Sequence, residues 1–219
     1  MYDCHKDMLA FHDEKITLPG SERNEMRERR DANRNRLKDG LKGDEEPLPT
    51  ALRSQGSYAM RTMVQHHEKD YDIDDGAYFD KEALKGARGA DKTAADAKEM
   101  VRKALHDGKF NTPPEVRTNC VRVYYDAGYH VDVPVYREYI KANVFGVTET
   151  VVELAGTDWK RSNALSVTEW FNDENDRQSP DKENGGQLRR ITRLKKGFCR
   201  SRDSWRSRIA TGFMVTKLV

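Results

Sequence analysis

The chain has no apolar run near the ~20 residues a helix needs to cross a bilayer. Its first residues, Met1-Tyr2-Asp3-Cys4-His5, lack the basic-then-apolar pattern of a secretory signal. Cysteine is scarce. Cys4, Cys120 and Cys199 are odd in number, far apart and without CxxC spacing. That excludes a disulfide framework or a clustered zinc site and fits reduced thiols in a cytoplasmic protein. Net charge is also small, since 39 basic residues offset 37 acidic ones to leave +2. Such a balance argues against a general nucleic-acid coat, though a local basic groove stays compatible with it. Charged residues make up 35% of the 219 and hydrophobic ones 36%. The core must therefore be modest and surrounded by solvated helices and loops.

Against this polar background one stretch organises the chain, Gln55 to Gly76, QGSYAMRTMVQHHEKDYDIDDG. Gly56-Ser57 is a small turn bearing a hydroxyl, and a glycine there lets backbone N–H groups approach a phosphate closely. Asp72-Ile73-Asp74 places two carboxylates at i and i+2, on one face of a β-strand, with Ile73 and Asp75 on the other. Adjacent carboxylates repel unless a cation lies between them. Mg²⁺ suits such a pair and completes its shell with water and phosphate oxygens. By themselves, Gly-Ser is also the makeup of an ordinary turn and Asp-x-Asp that of a solvated strand edge. An EF-hand starting at Asp70 fails, because Asp75 intervenes before the glycine and the twelfth position is Lys81.

A third piece favours the metal reading. In Tyr129-His130-Val131-Asp132-Val133-Pro134-Val135-Tyr136 the valines alternate with polar residues, as in a strand with one apolar face. Asp132 stands opposite the valines, flanked by His130 and Pro134. Arg122 to Tyr125 precedes it across Asp126-Ala127-Gly128, a hairpin turn. Asp72, Asp74 and Asp132 on neighbouring strands would form a two-metal centre. His66-His67 reads as loop, because adjacent side chains diverge.

QGSY, DIDDG, HVDVPVY and the later Glu169–Asp173, EWFND, together resemble the polymerase-β-like nucleotidyltransferases. Within that superfamily they closely resemble the bacterial cGAS/DncV-like enzymes (CD-NTases) of DncV type. The resemblance implies an α+β fold: a polymerase-β-like core of mixed sheet with flanking helices, followed by a C-terminal helical lobe that is largely missing here. It implies Mg²⁺, with Mn²⁺ as substitute, bound by Asp72, Asp74 and Asp132. It also implies nucleotide binding by Gln55, Gly56, Ser57 and Lys196, the last neutralising the triphosphate. The implied activity is a cyclic oligonucleotide synthase, joining ATP and GTP or other nucleoside triphosphates into a cyclic di- or trinucleotide such as cGAMP for anti-phage (CBASS) signalling. Linear template-free polymerisation and nucleotidylation of a protein or small molecule are the alternatives. A non-enzymatic sensor or antitoxin ranks last, because all three carboxylates are present. Expected partners are the nucleotides and regulatory or effector proteins of the same operon. No nucleic-acid activator and no membrane are expected, and the state is expected to be monomeric.

The rest of the chain gives coarser expectations. Residues 1–48 read as an N-terminal helical segment, 49–186 as the catalytic core, and 187–219 as a spine helix with the start of the shortened lobe. Residues 1–20 read as irregular. Ser21 is expected to cap a helix ending near Lys38 to Gly40, with its arginines solvated. A short helix is expected at 49–54 and another at 59–64. Thr93 to His106 is the clearest amphipathic helix. Strands are expected at 71–79, 116–125, 129–136 and 148–154. Asn163 should cap a helix to Phe171, followed by a mobile polar loop to Gly186. From Gln187 to Trp205 a helix should bury Leu188, Ile191, Leu194 and Phe198 and leave its arginines and lysines in water.

Overall fold

A computed structural model describes residues 3–66, 69, 71–86, 89–142 and 144–200, main chain only at 184 and 200. Its centre is strand β2, Asp72–Asp80, paired on both sides. On one side lies β1, Ala51–Gln55, antiparallel, with Gln55 opposite Asp74. On the other, β2 runs parallel to β5, His130–Val133, and then to β6, Val135–Ala142. These two are halves of one chain run divided at Pro134, whose carbonyl accepts from the Ala77 N–H at 2.9 Å. Proline lacks the donor for a continuous ladder, so the run breaks there. The break divides the sheet into two wings. Short β3, Glu115–Val116, and β4, Val121–Tyr124, extend the β5 half; β7, Thr148–Ala155, and β8, Trp159–Arg161, extend the β6 half.

One face of the sheet is closed by two helices. These are α2, Gly20–Gly43, and α4, Ala94–Leu105. Leu37 and Leu41 of α2 meet Ala97, Val101 and Leu105 of α4 over Ala77, Phe79, Val121, Val131 and Val133. The expected amphipathic helix is thus the centre of the core. Thr93 caps it in a reciprocal capping box with Asp96. The helix expected to stop at Gly40 continues to Gly43. Gly40 marks a close helix crossing: a Cβ there would sit 2.2 Å from the Ala104 carbonyl oxygen. Asp75, on this same face, accepts from both Arg34 Nε and Nη2 and from Ser54 Oγ. Arg34 therefore fastens α2 to the sheet instead of facing water.

The opposite face carries stacked Tyr78 and Tyr136, ring centroids 4.5 Å apart, beneath Ala164 and Leu165 of α5, Ala164–Gln178. Asn163 caps α5 as expected, its Oδ1 accepting from Ser166 N–H. The helix runs seven residues past Phe171, so half of the expected loop is helical. The 49–54 segment is strand β1, because pairing with β2 outweighs the weak local preference of so short a run. Helix α3 is Gly56–Ala59, earlier and shorter than the expected 59–64. The N-terminus is also helical, as α1, His5–Phe11, continuing into a π-turn segment His12–Ile16.

The last described helix, α6, Gln187–Arg200, inverts the expectation drawn from its periodicity. Arg189, Arg190 and Arg193 are buried, while Ile191 and Phe198 are exposed. Backbone carbonyls explain the inversion. Arg189 Nε donates to Met60 O at 3.0 Å, Arg193 Nη1 to Arg61 O at 2.7 Å and Lys196 Nζ to Thr62 O at 2.9 Å. These bonds take up backbone acceptors in the turn after α3. Gly197 completes this inward face, since a Cβ there would fall 2.4 Å from Ile16 Cδ1. Residues 201–219, including Trp205, lie outside the described part. None of the described helices is long and apolar enough to cross a membrane.

Candidate active site

Strand register assembles the site. Asp72 pairs with His130 and Asp74 with Asp132 across the parallel β2–β5 ladder, and Arg122 pairs with Asp132 across β4–β5. Partners in register share a face. Asp72, Asp74, His130, Asp132 and Arg122 therefore stand together on the face opposite the α2–α4 core. Val131 and Ile73, between them in sequence, enter the core.

One ligating atom each from Asp72, His130 and Asp132 lies within 4.8 Å of the other two. His130 Nε2 is 3.8 Å from Asp72 Oδ2. Asp132, buried, is gripped by Arg122 through two parallel hydrogen bonds, Nε to Oδ1 and Nη2 to Oδ2, both 2.8 Å. Asp74 is turned toward α3. One of its oxygens would lie 2.3 Å from a Cβ on residue 56, so only glycine leaves room for the carboxylate. Gly56 also has φ +64, a left-handed backbone that a side chain would resist. Both constraints on that glycine have direct causes in the fold.

The electrostatics reveal an excess of negative charge. Burial, then the charges of Asp72 and Asp132, raises the Asp74 carboxyl to about 7; Arg122 opposes this. Burial also raises the Cys120 thiol to about 12, with the Asp132 charge adding to it. A carboxyl group kept protonated by burial and by its like-charged neighbours is one that a cation would ionise. The donor set is mainly carboxylate oxygen with one imidazole, which fits Mg²⁺ or Mn²⁺ better than a thiolate-seeking metal.

The three predicted aspartates thus share one face, although the tight trio is Asp72, His130 and Asp132, with Asp74 beside it. Gly56 and Ser57 open α3 next to Asp74, and the Ser57 hydroxyl makes no hydrogen bond among the described residues. Gln55 is placed differently from a group reaching for nucleotide. Its buried side chain donates from Nε2 to the Tyr136 hydroxyl at 2.9 Å. Lys196 sits at the far end of α3, on Thr62 O. Sequence reasoning missed His130 and Arg122. The signal for both was available: His130 is two residues before Asp132 on the same strand face, and Arg122 lies opposite Asp132 once the 126–128 turn sets the hairpin register.

Comparison with known proteins agrees with this geometry. Residues 50–136 match the family described as cyclic GMP-AMP synthase DncV-like, nucleotidyltransferase domain. Among solved structures, CdnC of E. coli MS115-1 with ATP shares 19% identity and a TM-score of 0.61, over 93% of this chain and 59% of that one. Vibrio cholerae DncV, a cyclic AMP-GMP synthase, in complex with the linear intermediate 5′ pppA(3′,5′)pG, shares 21% and 0.59, over 83% and 61%. The Bradyrhizobium diazoefficiens CD-NTase CdnG with GTP shares 21% and 0.57, over 77% and 46%. The chain spans about half to three-fifths of the length of these proteins. Residues 50–136, which carry all three aspartates, thus match the DncV-like nucleotidyltransferase domain, and the chain has the mixed-sheet, helix-flanked polymerase-β-like fold of the bacterial CD-NTases.

Proposed function

We propose that the protein is a divalent-metal-dependent nucleotidyltransferase that joins nucleoside triphosphates, ATP and GTP foremost, into a cyclic di- or trinucleotide messenger. The observation that carries this reading is the register pairing of Asp74 with Asp132 and of Asp72 with His130, beside Gly56. Asp72, Asp74 and Asp132 would hold Mg²⁺ or Mn²⁺, with His130 as an added ligand. A metal bound there supplies charge neutralisation at the phosphates and acidifies an attacking ribose hydroxyl.

The chain's own groups do the positioning. Arg122 fixes the plane of the Asp132 carboxylate through its paired hydrogen bonds. Gly56 leaves room for the Asp74 carboxylate beside α3, and the Ser57 hydroxyl can donate to a phosphate oxygen. The buried Gln55–Tyr136 bond holds β1 and the start of α3 against the sheet. A cyclic product such as cGAMP, an anti-phage role and an operon partner rest on the likeness to relatives; the E. coli CdnC has also been solved in complex with a HORMA protein.

The test is incubation with the four radiolabelled triphosphates and Mg²⁺, then phosphatase, chromatography and mass spectrometry. A compact, phosphatase-resistant product is expected, lost on combining Asp72→Asn with Asp74→Asn. A ladder of linear products or a labelled protein would move the reading to polymerisation or protein nucleotidylation. Undiminished turnover by the double variant would overturn the site.

A further inference from the structure

The histidine that opens the π-turn segment lies apart from the carboxylate site. His12 is 1% exposed and sits where the N-terminal segment meets α6. Arg193 Nε donates to its Nε2 at 3.0 Å, and Thr17 Oγ1 lies 3.2 Å from that same nitrogen. On the other side of the ring, Nδ1 is 2.5 Å from Asp13 Oδ1. A guanidinium N–H can only donate, so Nε2 must present a lone pair. The ring proton is then on Nδ1 and is donated to the exposed Asp13 carboxylate. Both contacts require the same neutral tautomer.

His12 stands at a junction of three parts of the chain. The Thr17 N–H donates to His12 O at 2.8 Å, and this wide turn carries the Thr17 hydroxyl back to the ring. Arg193 also donates from Nη1 to Arg61 O at 2.7 Å, in the turn after α3. Gln65 Nε2 donates to Glu14 O at 3.1 Å and to Thr17 O at 2.8 Å. Gly197, one turn beyond Arg193 on α6, packs against Ile16. The charged groups that bear on His12 are Asp13 beside it and Arg193 and Arg190 of α6, while Arg189 of α6 and Arg23 of α2 bear on Arg193. Burial holds the imidazole below its ordinary 6.5; Asp13 opposes this, and the Arg193 and Arg190 charges add to it. A second proton would set an N–H against the Arg193 N–H and place one more cation among arginines.

We propose that His12 is a proton-operated latch: its neutral imidazole fastens the N-terminal segment to α6, and protonation releases the two from each other. The unfolded chain takes up the proton first, because the folded value is depressed. The latch is therefore complete above about pH 6.5 and is lost as pH falls through the lower folded value.

The test uses the whole chain, and its readouts are local because Asp74 also titrates in this range. Nitrogen-15 NMR of the imidazole at about pH 8 should show the Nδ1–H tautomer, with a titration midpoint below 6.5. Hydrogen-exchange protection factors of residues 12–17 and 189–197 should fall about 10-fold or more between about pH 8 and about pH 5, while β2 and β5 keep theirs. His12→Gln offers Arg193 an amide oxygen without a titrating group. In that variant the protection of both segments should not change with pH. An Nε2–H tautomer, a midpoint at or above 6.5, or unchanged protection in the parent would each overturn the proposal, and all three are read without the variant. The same acid loss in folded His12→Gln would also overturn it. None of these outcomes depends on whether nucleotidyl transfer is the activity.

Discussion

Arg122 and Asp132 face each other across the β4–β5 ladder and share two parallel hydrogen bonds of 2.8 Å. The buried Asp132 carboxylate is thereby already neutralised by a fixed cation. Without Arg122, three carboxylates would converge on one face with only His130 among them. Arg122→Ala is expected to destabilise the metal-free protein by about 2–3 kcal/mol, because Asp132 is left buried and unpaired. Mg²⁺ or Mn²⁺ should restore more stability to the variant than it gives the parent. Thermal melts with and without metal check this; an equal metal response in both proteins would contradict it.

Asp74 makes the site sensitive to pH. Its folded value of about 7 lies above the ordinary 3.8, so the folded chain keeps a proton that the unfolded chain releases. The stabilisation is complete below about pH 4 and is lost as pH rises through about 7. Asp74→Asn should therefore stabilise the metal-free protein at pH 8 by about 2–4 kcal/mol relative to the parent, and by little at pH 4. Denaturant melts across this range measure the difference. A gain that is the same at both pH values would show that ionisation of the buried Asp74 is not its source.

Gly56→Ala separates the site from the fold. The left-handed backbone costs about 1 kcal/mol for alanine, and the new methyl would press on the Asp74 carboxylate. Nucleotide incorporation should fall by about 100-fold, in line with a displaced catalytic group, while the melting temperature drops by only a few degrees. Retained incorporation would show that Asp74 can move aside without loss.

Gly40→Ala tests the crossing of α2 and α4. In an isolated helix alanine would be the better residue by about 1 kcal/mol. Here its Cβ would strike the Ala104 backbone, which cannot yield as a flexible side chain would. A loss of about 2–3 kcal/mol is expected from the forced separation of the helices, read from urea melts. Stabilisation by alanine would mean that the helices shift apart freely.

Alternation along β2 and β5 was legible from residues alone, because strand geometry ties every second side chain to one face. It separated Asp72, Asp74 and Asp132 from Ile73, Asp75 and Val131, and it identified α4 through its apolar stripe. Local pattern failed where long-range pairing decided. Residues 51–55 are a strand only because Tyr78 to Asp74 lie alongside. Helix α6 shows the limit most clearly. Its sequence determined a helix with an apolar and a cationic face, but the tertiary structure decided which face is buried, through the carbonyls of Met60, Arg61 and Thr62. The sequence likewise supplied the carboxylates, while strand register brought His130 and Arg122 to them. Register is a relation between distant segments, and side-chain periodicity within one segment does not encode it.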